Sequence, residues 1–142
     1  MEKTVQFIHS GWAYIVLLVL IIATFNALIK FFSGKEYSPV DFRFSLFALI
    51  TMHIQLLIGI ILWFTKGYFD EMSVGEVMKN DAVRKLAVEH PVTMLIAVAL
   101  VTIGYSKHKK KLVSKPKFKL IAIFYTIALA LVLYMIPWNQ WF

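Results

Sequence analysis

The sequence predicts an all-α fold: an integral membrane bundle of four antiparallel, up-down helices, with a short amphipathic outer segment between helices 2 and 3. Three observations predict it. Of 142 residues, 60% are hydrophobic and 16% charged, with mean hydropathy +0.73, whereas a soluble domain averages roughly 45–50% apolar and about 25% charged residues. The apolar residues gather in four stretches near the ~20 residues that cross a bilayer as a helix. The Lys and Arg residues concentrate in alternate loops. A soluble chain of this length has too little interior to hide so much apolar surface, so residues 1–142 read as a single transmembrane domain.

The first stretch, Phe7 to Ile29, reads FIHSGWAYIVLLVLIIATFNALI and predicts a helix over about 7–31. It is too long for a signal peptide, has no small-residue cleavage site after it, and is followed by further spans. The second, Phe42 to Phe64, predicts a helix over about 42–64. The third has HPVTMLIAVALVTIGY as its core and starts at about Leu86 or His90, with Pro91 suited to a first turn; it predicts a helix over about 87–106. The fourth, FKLIAIFYTIALALVLYMIPW, predicts a helix over about 118–137. None of the four alternates with period two, and helices satisfy their own backbone groups in lipid.

Short loops one and three make sequential helices antiparallel neighbours. In the longer second loop, Val74, Val77, Met78, Val83, Leu86 and Ala87 fall at roughly helical spacing. That pattern predicts either a short amphipathic helix on the outer surface or an N-terminal extension of helix 3. Small residues predict close helix contacts: Ala122, Thr126 and Ala130 on helix 4, Thr93 and Ala97 on helix 3, and Gly59 and Gly104.

Loops one and three together carry ten basic residues: Lys30, Lys35, Arg43, Lys107, Lys109, Lys110, Lys111, Lys115, Lys117 and Lys119. The other side carries five, offset by six acids. Positive charge marks the cytoplasmic side, so loops 1 and 3 are expected in the cytoplasm and both termini outside. Trp12, Trp63, Trp138 and Trp141 all fall at the expected outer ends, where an aromatic belt meets headgroups. The net charge of +7 therefore reads as a topology and lipid-headgroup signal, not as a nucleic-acid surface.

The absence of cysteine excludes thiol catalysis, thiolate zinc sites and iron–sulfur clusters. Charged groups inside lipid are costly, so the histidines in or at the spans stand out: His9, His53 and His90. His53 lies mid-helix among Leu49, Ile50, Leu56 and Leu57 and is expected to point into the bundle, toward a ligand or a partner such as Asn26 or a backbone carbonyl. His9 and His90 begin spans of the same direction and so share a depth near the outer surface; they read either as interfacial polar residues closing helix ends or as ligands of a metal or haem. Depth favours His9 with His90 over His53 with His90, although an earlier start of helix 3 narrows that gap. Glu89 reads first as an interfacial acid, and otherwise as a carboxylate that orients a histidine or takes protons. Gln55, Thr51, Asn26 and Tyr134 suit inter-helix hydrogen bonds. His108, inside the lysine run, is expected to be solvated. No Ser/His/Asp set, phosphate loop or carboxylate pair lies in the spans, so there is no catalytic constellation.

The sequence also resembles a known family. His9-Ser10, the run HIQLLIGIILWF, the run VEHPVTMLIAVALVTIGYSK and the run FYTIALALVLYMIPW are together similar to small bacterial four-helix membrane proteins labelled cytochrome-b-like. The resemblance covers nearly the whole chain. It implies haem b and electron transfer in the bacterial cytoplasmic (inner) membrane, with His9, His53 and His90 as cofactor-binding positions and no metal beyond the haem iron. On this reading the chain is an electron carrier or complex subunit rather than a stand-alone enzyme, working with a membrane protein partner or a quinone. The alternative is a non-haem accessory or scaffold subunit of a membrane complex. A third is a small transporter, or a metal- or proton-handling protein using His53.

Overall fold

The computed structural model describes residues 1–141; the side chains of Gln140 and Trp141, and Phe142 entirely, lie outside the described residues. Its helices are α1 (Glu2–Ser33), α2 (Pro39–Lys66), α3 (Val74–Lys79), α4 (Asp81–Arg84), α5 (His90–Lys109), α6 (Ser114–Met135) and α7 (Trp138–Trp141), with a π-helical turn (Lys85–Glu89) joining α4 to α5. Four helical stretches are long and apolar enough to cross a membrane: α1, α2, Asp81–Lys109 and α6. The chain is thus a multi-pass helical membrane protein. Each spanning helix starts before its predicted start, because the ends are polar turns that hydropathy does not see.

Local chemistry fixes the ends. Gly34 and Gly67 take left-handed conformations, φ 70° and 57°, and stop α1 and α2, as glycine does without penalty. Ser38 and Asp41 form a capping box at the start of α2. Ile136, before Pro137, is extended and ends α6.

The second loop realises both expected forms. Val74–Lys79 is a short separate helix with Val77 buried, and Asp81–Glu89 extends the third span. Ser73 caps α3 by accepting from Glu76 N, and Asn80 caps α4 by accepting from Val83 N.

α1 packs on α2 and α6, and α5 packs on the same two, closing a ring of four antiparallel helices. The buried face of α1, Val16, Leu20, Ala23 and Ala27, recurs every three or four residues as a single helical stripe does. Tyr125 of α6 is wholly buried, and its hydroxyl donates to Ser45 O across the core at 2.8 Å. The outward faces carry large apolar side chains such as Leu18, Leu57 and Ile96, as lipid allows.

The small-residue expectations divide. Ala97, Gly104 and Ala122 are buried, Gly104 against Phe124 of α6, but Thr126 and Ala130 face outward. The buried face of α6 runs instead through Phe118, Ile121, Tyr125, Ala128 and Val132. A methyl group on Gly104 would come within 2.5 Å of Phe124 Cβ, so the two helices must move apart to admit it. Gly104→Ala is therefore expected to cost about 1–3 kcal/mol, the usual range for overpacking, read as a lower midpoint of denaturant unfolding in detergent.

His108 is a correction: it is 0% exposed, not solvated. Nδ1 donates to Tyr105 O, and Nε2 accepts from the Tyr37 hydroxyl at 2.9 Å. Burial pushes the Tyr37 phenol up to about 12, so it remains a protonated donor. Lys107 and Lys109 point elsewhere, with their ammonium groups over Phe124 and Tyr105. His108 thus pins the first loop to the end of α5.

Candidate functional site

The site begins with Pro91. Proline has no N–H and its ring crowds the carbonyl four residues back, here Ala87. The helix widens into the π-turn, with His90 N donating to Lys85 O. The Trp63 indole supplies the donor that Ala87 O would otherwise lack, at 2.8 Å. Such π-turns occur often at functional sites, and this one sets the direction of His90.

His90 Nδ1 lies 2.9 Å from Met135 O. A carbonyl only accepts, so Nδ1 carries the proton and Nε2 is the lone-pair nitrogen. Met135 O is available because α6 ends there. Facing His90 from α1 is His9, with ring centres 6.3 Å apart and planes at 80°. His9 rests against the backbone of α2 at Gly59, where a methyl group would sit 3.1 Å from Cε1. Gln55, one turn earlier, donates to His9 O at 2.7 Å. His9 Nδ1 and Gln55 Oε1 are both buried without a partner.

These groups line an apolar cavity of about 570 Å³ at the end of the bundle that holds the termini. All four spanning helices contribute, with Val16, Met52, Leu56, Val98 and Val132 among the walls. The volume lies within the ~300–1,000 Å³ of ordinary ligand and cofactor sites. Lys66 is the one lysine among the described lining residues, held loosely by Glu2 at 3.7 Å.

His9 and His90 are therefore brought together, and His53 is not. His53 is exposed on the lipid-facing surface of α2, against the expectation that it points inward. Its Nδ1 donates to Leu49 O one turn back at 2.8 Å. Its Nε2 lies 3.4 Å from Thr102 Oγ1, a loose contact because that hydroxyl already donates to Val98 O at 2.7 Å. Local hydrogen bonding in its own helix explains how the imidazole is tolerated there.

Glu89 does not touch His90 in any hydrogen bond; it accepts from Arg84 Nε at 3.0 Å. The orienting acceptor of His90 is a backbone carbonyl instead. Among the other polar candidates, Gln55 and Asn26 make inter-helix bonds, the latter to Asp41. Thr51 Oγ1 bonds within α2, although its carbonyl accepts from Trp12 Nε1 at 2.9 Å. Tyr134 is 78% exposed.

A haem iron takes one or two imidazoles axially. His9 and His90, facing each other with ring centres 6.3 Å apart, and the lone-pair nitrogen of His90 suit such a group, and these are the residues that would hold it. The apolar cavity around them suits it as well.

Fold and site define a class: a multi-pass helical membrane protein whose spanning helices enclose a cavity with a facing histidine pair. Compared with models of known families, with characterised proteins and with solved structures, the chain matches none.

Proposed function

We propose that the protein is a b-type cytochrome-like membrane electron carrier that holds haem b in the cavity between His9 and His90. The observation that carries this reading is the facing pair itself, two half-buried imidazoles with ring centres 6.3 Å apart on different helices in a largely apolar cavity. The bond to Met135 O orients the His90 ring and the seat on Gly59 positions that of His9, which supports their holding the group. Lys66, a lining residue near Glu2 at 3.7 Å, would neutralise a carboxylate of the group. Bound haem supplies one-electron carriage.

The exchange partner on this reading is a quinone or a second membrane protein. The lysine asymmetry, ten basic residues against five, supports both termini lying outside the bacterial cytoplasmic membrane. The test is a reduced-minus-oxidised spectrum of protein purified in mild detergent. Soret and alpha bands at about one haem per chain are expected. A flat spectrum after incubation with excess haem would overturn the proposal.

A further inference from the structure

The lysine-rich end of the bundle holds a second, shallower cleft. It measures about 460 Å³ and is lined by Phe31 of α1, Lys111, and Lys115, Lys119, Leu120 and Ile123 at the start of α6. We infer that this cleft binds an anionic phospholipid, with the headgroup phosphate between Lys111, Lys115 and Lys119 and an acyl chain along α6.

Charge argues first. The two loops at this end carry ten basic residues against Glu36 and Asp41. Asp41 is buried and already paired with Lys30 at 2.6 Å. Other lysines here are spent on structure: Lys117 donates to His108 O at 3.2 Å and lies over the Tyr37 ring. Among the described residues, the ion pairs involve Lys30, Lys66 and Arg84 only, so the three cleft lysines face no carboxylate. Lys115 is held over the Phe31 ring at 5.5 Å, which draws it across the gap between the helices.

Shape argues second. Lys115, Lys119, Ile123 and Ile127 follow at four-residue steps and so share one helix face. The two isoleucines are 45% and 46% exposed. From Lys119 to Ile127 the helix rises ~12 Å, most of one leaflet of a hydrocarbon core about 30 Å thick. Ammonium groups at the surface above an apolar wall match a charged headgroup on a hydrocarbon chain. Free phosphate would use the lysines and leave the wall idle. Basic pockets between spanning helices recognise anionic headgroups in this way.

The test places the whole chain in phosphatidylcholine vesicles and uses electron spin resonance to compare a spin-labelled phosphatidylglycerol with a spin-labelled phosphatidylcholine. The anionic probe should dominate the immobilised fraction. Neutralising K111Q, K115Q and K119Q together should lower that preference by about fivefold or more, the effect of even one lysine at a charged surface. The matched control, K107Q with K109Q and K110Q, removes equal charge from outside the cleft and should leave the preference nearly intact. Three results would overturn the inference: no preference in the wild-type chain, equal loss in both variants, or release of the probe by millimolar inorganic phosphate. The first two mean diffuse attraction, and the third means a site for the free anion.

Discussion

If His9 and His90 hold haem as proposed, replacing His90 by alanine is expected to abolish the haem spectrum while leaving a folded bundle. The variant would remove a nitrogen that holds the group, which should weaken binding by more than the ~10–100-fold that loss of an outer-shell partner costs a metal site. The structural loss is one hydrogen bond to Met135 O, typically about 0.5–1.5 kcal/mol, so helical circular dichroism should persist. His9→Ala should behave alike, because the two rings face each other across the same space. His53→Ala is the discriminating control. His53 is exposed and bonded within its own helix, so its removal should leave the spectrum of the remaining pair unchanged. A His53→Ala chain that loses haem while His9→Ala keeps it would break the assignment.

That contrast also shows how far the sequence could be read. The four spans were legible from hydropathy, and the shared depth of His9 and His90 from their places at the starts of parallel spans, but depth did not choose between that pair and His53 with His90. His53 was not placed, since Leu49, Ile50, Leu56 and Leu57 surround it whether it faces core or lipid. The bond to Leu49 O, which lets it face outward, leaves no trace in composition. Glu89 pairs with Arg84 and not with His90 for a geometric reason. Residues five apart do not face each other in an α-helix, but the π-turn over Lys85–Glu89 brings Arg84 and Glu89 to 3.0 Å. The signal was Pro91, four residues after Ala87, which denies that carbonyl its donor. His108 carried a usable signal as well: three, four and seven residues back lie Tyr105, Gly104 and Val101, all buried. The lysines on either side masked that face.

The second large effect is expected at the opposite end of the bundle. Asp41 is 3% exposed and takes four donors: Lys30 Nζ at 2.6 Å and Asn26 Nδ2 at 2.8 Å on one oxygen, Ser38 N at 2.7 Å and Ser38 Oγ at 2.9 Å on the other. One carboxylate thus joins the last turns of α1 to the first turn of α2. Asp41→Ala leaves an ammonium and an amide half-buried without an acceptor, and breaking a buried pair in this way costs about 3–5 kcal/mol. Lys30→Ala should cost less, because Asp41 keeps three donors. If the penalty of Asp41→Ala comes from the stranded ammonium, the double variant should be more stable than Asp41→Ala alone, with a coupling energy of about 0.5–3 kcal/mol in a double-mutant cycle. Denaturant unfolding in detergent reads all three. Additive costs would mean that the capping of α2, rather than the ion pair, carries the effect. Since the network lies at the other end of the bundle from the cavity, whatever Asp41→Ala protein remains folded should keep the wild-type haem spectrum, which separates loss of fold from loss of site.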